Sequence, residues 1–514
     1  MTYNAIIFTD STDTVLVQKP LGAFKLAHEL RKAGYSCLVV DHFHTWTQNE
    51  IFQLLEQTMD HSTFFVGVST TFLMNTDVVQ TGHVSYSHFN ANLSFCPQGK
   101  TFENSFVEKI KLLNPKCKIV AGGHRTKENC NNKNIDIIVK GYAEKSIVTL
   151  IKNLQDEVPL ENSVKNIWGI NTIQPPINDE QYDFAHGGMH WEYTDVVNSR
   201  ILPIESARGC IFNCKFCSFP MRGKKTLEYV LNSELMYREF QDNFDLYGIT
   251  DYWLMDDTFN DSDEKLDSIL SVVKRLSFQP HFWAYARLDL MAVKPHRMKK
   301  MFDIGVRSVF LGIETLDKKA GEIVGKGFDP EKKIKTIQDI RKTYGNDFLM
   351  HGSFIVGLPG ESLEQVTNTY EMIADQRIPL HSANFKPLRI ARDASAIWYS
   401  SEFDRNWKEY GYEIDETIAT SSSEDINWKN QHMNQATAIK SAQKFNESLL
   451  NNNNLYLGGH TSWTLMNYPE FSYDRVKNLK FTDIDWHEVT QSKIKFVDIY
   501  KQKLFNSLNT RQCS

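Results

Sequence analysis

Cys210, Cys214 and Cys217 lie within eight residues of one another in "RGCIFNCKFCSFP", spaced C-x3-C-x2-C. Soft thiolates gathered this closely serve zinc or iron–sulfur clusters. A closed zinc site takes four ligands, often as two C-x2-C pairs. The next cysteine along the chain is Cys513, so zinc would need a histidine from elsewhere. A [4Fe-4S] cube usually takes four cysteines. Three on one loop leave one iron open to a substrate or cofactor.

Positioning such a loop requires a scaffold, and the surrounding pattern supplies one. From residue 200 apolar strands alternate with helical runs. The spacing predicts strands at 201–205, 250–255, 281–287, 306–313, 350–356 and 380–385, with helices at 226–243, 262–276, 295–304, 330–344 and 362–376. Ser362 and Gln365 form a capping-box pattern for the last of these helices. Six β/α units point to a barrel, complete or partial. In such barrels polar residues at strand carboxyl ends read as functional. Those positions hold Asp256 and Asp257 ("YWLMDDTFN"), Arg287 ("FWAYARLDL"), Glu314 ("VFLGIET") and Gly357 ("SFIVGLPGES"). The plainer alternatives are a helix cap for the aspartates and a salt bridge for the arginine.

The first 155 residues carry a second alternation. "NAIIF" (4–8), "SCLVV" (36–40), "FFVGVS" (64–69), "CKIVAGG" (117–123) and "IDIIVKG" (135–141) read as buried strands, with helices at 21–34, 47–58, 102–113 and 144–154. Near-continuous apolar strands imply a parallel sheet covered on both faces, a doubly wound α/β fold. Ligands of such sheets bind beyond the strands' carboxyl ends. Residues 75–100 are too long and polar for a plain connection, and are either an excursion over that edge or an unstructured insertion. The sequence thus divides into a doubly wound domain (1–155), a linker (156–199), a barrel (200–390) and a mostly helical extension (391–514). In that extension Trp398, Tyr399, Trp407 and Trp463 read as core.

The chain has 514 residues, 41% hydrophobic and 23% charged, with 57 basic against 63 acidic side chains and a net charge of −6. That balance gives no global attraction to nucleic acid or an anionic membrane. Neither a signal peptide nor an apolar run of ~18 residues is evident. The expectation is a reducing cytoplasm, where eight cysteines are not a disulfide framework.

The cysteine loop resembles the signature of the radical S-adenosylmethionine (SAM) superfamily, including an aromatic, Phe216, directly before the last cysteine. The resemblance implies a [4Fe-4S] cluster on Cys210, Cys214 and Cys217 whose open iron chelates SAM. Electron transfer then releases a 5′-deoxyadenosyl radical that takes hydrogen from a substrate. It also implies a partial six-unit barrel. The strand-end residues become SAM contacts: Asp256 or Asp257 at the amino group, Arg287 at the carboxylate, Glu314 at the ribose and Gly357 beneath the adenine. An external electron donor such as flavodoxin or ferredoxin would reduce the cluster.

The upstream domain is similar to the cobalamin-binding domain of one radical SAM branch. The similarity rests on the glycine pair Gly122-Gly123 ending strand four and on the segment Gly141, Tyr142 to Glu144 (G-x-x-E) after strand five. Small residues there let a bulky planar cofactor approach the backbone, and Ser69 and Thr70 could bond its nucleotide tail. The plainer reading gives the glycines to tight turns. The motif D-x-H-x-x-G is absent after strand one, and "DHFHTW" (41–46) reads as a surface loop. A methylthiotransferase would need three cysteines in this domain, whereas Cys37, Cys96, Cys117 and Cys130 are scattered. The resemblance implies a cobalamin-dependent methyltransferase acting on an unactivated carbon of a small molecule or peptide. The alternatives are a radical rearrangement or cyclisation, and a non-enzymatic cobalamin or redox sensor.

Overall fold

A computed structural model describes residues 2–10, 16–69, 104–123, 132–160, 163–173, 182–219, 221–224, 227–327, 329–390, 400–414 and 426–510. Thr70, Cys96, Cys130, Trp398, Tyr399 and the 75–100 segment lie outside them.

The first sheet contains β1 (Ala5–Phe8), β2 (Cys37–Val40), β3 (Phe65–Ser69), β4 (Lys118–Gly122), β5 (Ile137–Val139), β6 (Ser163–Lys165) and β7 (Asn171–Ile173), in the order β2-β1-β3-β4-β5-β7-β6. All pairs are parallel except β6 with β7. Side chains alternate across it. Ala5 and Ile7 join the core shared with the helices Leu21–Lys32 and Glu144–Gln155, and Ile6 and Phe8 join the core under Gln48–Thr58. Five strands follow the expected pattern. The last two lie in the stretch read as a linker, so that stretch widens the sheet by a hairpin.

The second sheet is all parallel: β8 (Ile201–Ile204), β9 (Asp251–Leu254), β10 (His281–Ala286), β11 (Val306–Glu314), β12 (Leu349–Val356) and β13 (Ser382–Pro387), in chain order. No pairing joins β8 to β13 among the described residues. It is a partial barrel of six units. No described helix is long and apolar enough to cross a membrane.

The C-terminal extension is used in two places. Trp428 and Tyr412 pack at the carboxyl end of β12, where Tyr412 donates to Gly357 O at 2.7 Å. The helix Gly459–Leu465 fills the opposite, amino-terminal half of the barrel: Trp463 Nε1 donates to Tyr252 O at 3.1 Å, and Gly459 faces Trp283 and Ser308. The long helix Trp486–Thr510 then returns to the first sheet, burying Tyr500, Leu504 and Leu508. Tyr500 Oη accepts from Asp41 N at 3.0 Å. This helix also overturns the reading of 41–46 as surface. His42 is 3% exposed and meets the Phe496 and Tyr500 rings, and His44 is bonded to Asp10 at 2.6 Å.

Candidate functional site: the cysteine loop and the cavity beside it

The loop after β8 is closed by its own backbone. Cys210 N donates to Met221 O at 2.8 Å, Lys224 N to Cys210 O at 3.1 Å, and Cys217 N to Cys214 O at 3.1 Å. Arg222 Nη1 donates to Cys217 O. Gly209 takes φ +113°, with Met221 O and Lys224 pressed where a Cβ would stand. None of the three cysteines is in a disulfide among the described residues, and burial raises the Cys210 thiol and pushes Cys217 up to about 11. Among the described residues no three His, Cys, Asp or Glu side chains converge as one metal ion requires. Three soft donors set along one loop fit a polynuclear cluster, whose binding would release their protons.

The strand-end residues divide into those that face the open space and those already engaged. Asp256 is fully buried and turned inward. It accepts from Ser206 N, Ser206 Oγ and Ala207 N at 2.8, 2.5 and 2.9 Å and pairs with Lys265 at 3.5 Å. It therefore pins the root of the cysteine loop instead of meeting a ligand. Asp257 lines the cavity and makes no hydrogen bond within the described residues. Burial, with Glu205 and Asp256 adding like charge, pushes its carboxyl up to about 7. Arg287 is also spoken for: its fork grips Asp289 at 3.0 and 2.6 Å. Glu314 ends β11 at φ +65° and pairs with Lys326 at 3.3 Å, in space that only a glycine at 312 leaves open. Lys326 also lies 5.7 Å from the ring of Phe216, which is partly buried against the core. Gly357, at φ +104°, is needed for a different close approach than expected: a Cβ there would lie 2.3 Å from Trp428.

The carboxyl edge of the first sheet faces this loop across a cavity of about 540 Å³. One wall carries Ser69, Gly122, Gly123, Gly141, Tyr142 and Glu144; the other carries Ala207, Gly209, Phe219 and Asp257. Gly123 and Gly141 have φ +119° and +72°. The walls are joined by a buried charge cluster that no motif in the chain announces. Arg208 forks onto Glu205 at 2.7 Å through both arms, reaches Glu144 at 2.5 Å, and lies 4.8 Å from the Tyr142 ring. Lys25 adds a contact to Glu205 at 3.9 Å. Glu144 Oε2 is buried without a hydrogen-bond partner among the described residues. A glycine-lined wall with an orphan acceptor suits a flat occupant that brings amide donors.

Residues 204–373 match the radical SAM superfamily. The barrel is a radical SAM domain. An uncharacterized methyltransferase of Pyrococcus horikoshii is 31% identical over 173 residues, 32% of this chain and 35% of that protein. The bacteriochlorophyllide d C-8(2)-methyltransferase of Chlorobaculum tepidum is 24% identical over 252 residues, 47% of this chain and 53% of the enzyme. The matches thus span about a third and about a half of these relatives' lengths. Among solved structures, the radical SAM methyltransferase TsrM of Kitasatospora setae with cobalamin and a [4Fe-4S] cluster superposes with a TM-score of 0.60 at 14% identity, covering 99% of this chain and 100% of that one. The cobalamin-dependent SAM radical enzyme OxsB with aqua-cobalamin gives 0.52 at 16%, covering 79% and 56%. At these identities the likeness is one of fold. The whole chain, radical SAM domain included, shares its fold with TsrM.

Proposed function

We propose that the chain is a cobalamin-dependent radical SAM methyltransferase. The observation that carries this reading is a cavity walled on one side by the glycine-rich sheet edge and on the other by the root of the cysteine loop. Two cofactors can meet there with a substrate between them. Cys210, Cys214 and Cys217 hold the [4Fe-4S] cluster. Ser69, Gly122, Gly123, Gly141, Tyr142 and Glu144 hold cobalamin, with Glu144 Oε2 accepting from a side-chain amide. Bound together, the cluster with SAM supplies a 5′-deoxyadenosyl radical and cobalamin a transferable methyl group. The protein's own work is to orient and enclose them. Glu314, braced by Lys326, presents a carboxylate to a sugar diol, and Asp257 turns its carboxyl to the cavity. The catalytic unit is the barrel (200–390) and the cobalamin-binding unit is 1–155 with the hairpin after it. The substrate is a small molecule or peptide, and an external flavodoxin or ferredoxin supplies electrons in the cytoplasm.

The test needs no substrate. The protein is purified without oxygen, loaded with iron and hydroxocobalamin, reduced, and given methyl-labelled SAM. The expected result is label in methylcobalamin. Release of 5′-deoxyadenosine with cobalamin unlabelled would favour the rearrangement reading, and cofactor binding without SAM consumption the sensor.

A further inference from the structure

Arg287 follows β10 and is 4% exposed. Its guanidinium has five N–H donors in a rigid fork, and four are committed: Nε and Nη2 to Asp289, Nη2 also to Gly325 O at 2.8 Å, and Nη1 to Cys214 Sγ at 3.2 Å. The Phe212 ring, from within the cysteine loop, lies 3.9 Å from its Cζ. Its backbone is held too, with N donating to Asn260 Oδ1 and O accepting from Asn260 Nδ2, both at 2.9 Å. One Nη1 N–H is left over, and these contacts hold the guanidinium that carries it in place.

We infer that Arg287 acts on the cluster and not on the SAM carboxylate, as a fixed, charged hydrogen-bond donor to the Cys214 thiolate that makes the cluster easier to reduce. The inference rests on the cluster reading above. One-electron reduction adds negative charge to a site already bearing three thiolates. A cationic donor on one of those sulfurs favours the reduced form, so it raises the potential. Burial strengthens the effect, because little water screens it. Asp289, paired with the same guanidinium at 2.6 Å, offsets part of that charge. The two side chains therefore push the potential in opposite directions. Arg287 is a positioning and tuning residue, and its signature is electrochemical.

The experiment is an EPR-monitored redox titration of the full-length, cluster-loaded protein without SAM, comparing wild type, Arg287→Gln and Asp289→Asn. At the wild-type midpoint, the ratio of reduced to oxidised cluster should fall at least tenfold in Arg287→Gln, which is 59 mV for a one-electron couple. It should rise in Asp289→Asn. An intact cluster with an unmoved ratio in Arg287→Gln overturns the inference, as does an unmoved ratio joined to weakened SAM binding, which would return the residue to the SAM carboxylate. If Arg287→Gln fails to assemble, an unmoved or lowered ratio in Asp289→Asn overturns it alone. A wild-type protein that binds zinc in place of iron overturns both this inference and the reading beneath it.

Discussion

The two walls of the cavity are built on opposite principles. The barrel wall is held by charges and hydrogen bonds: Asp256 ties down the loop root, Arg287 braces the loop through Cys214 and the loop's own Phe212 ring, and Arg208 locks onto two glutamates. The sheet wall is held by what is missing. Gly122, Gly123 and Gly141 leave room, and Glu144 presents an acceptor with no partner among the described residues. A cluster site must hold thiols in register around a compact inorganic core, so it is over-determined. A site for a broad planar ligand must expose backbone and stay empty, so it is under-filled.

That contrast can be broken by mutation. The largest effect is expected on the barrel wall. Cys214→Ala should abolish the ~400 nm iron–sulfur absorbance and SAM cleavage while leaving cobalamin binding intact; retained absorbance would refute the cluster assignment. On the sheet wall, Gly122→Val should weaken hydroxocobalamin binding by tenfold or more with iron content unchanged. Equal loss of iron would mean that the walls are not independent.

A smaller effect separates packing from ligand binding at the barrel mouth. Gly357→Ala puts a methyl against Trp428 at positive φ, which should cost about 1–3 kcal/mol in thermal or denaturant unfolding. An undiminished stability paired with weaker SAM binding would restore the adenine role expected from the sequence.

The smallest effect is pH-dependent and lies behind the cavity. Glu239 is buried beside Met189 N, which donates to it at 3.3 Å, and burial pushes its carboxyl up to about 7, above the ordinary glutamate value of 4.5. The folded protein therefore binds the extra proton, and this group's contribution to stability falls as pH rises from about 4.5 to 7. Glu239→Gln should remove that decline, leaving the variant on the order of 1–3 kcal/mol more stable relative to wild type at pH 8 than at pH 5. A pH-independent difference would contradict it.

Much of the architecture was legible because buried parallel strands leave unbroken apolar runs. All five expected strands of the first sheet and all six of the barrel are present. The hairpin of β6 and β7 was not legible: three-residue strands such as "SVK" carry no periodicity to read. The helix Trp486–Thr510 lies in the extension read as mostly helical, but its bounds were not legible because its buried face mixes Tyr500 and Leu504 with Ser492, Lys493 and Lys501. Its partner lies more than four hundred residues away, at Asp41.

The order of residues sets the inventory: three thiols at fixed spacing, six β/α units to carry them, and glycines at the edge of an upstream sheet. Those are local properties, set by residue type and separation along the chain. Whom each polar side chain serves is settled by folding. Asp256, Arg287 and Gly357 stand at the expected strand ends, yet they answer to Ser206, to Asp289 and Cys214, and to Trp428. The reason is competition. A buried charge or a bare backbone takes the nearest partner that satisfies it, and nearness across strands and loops is not written in spacing.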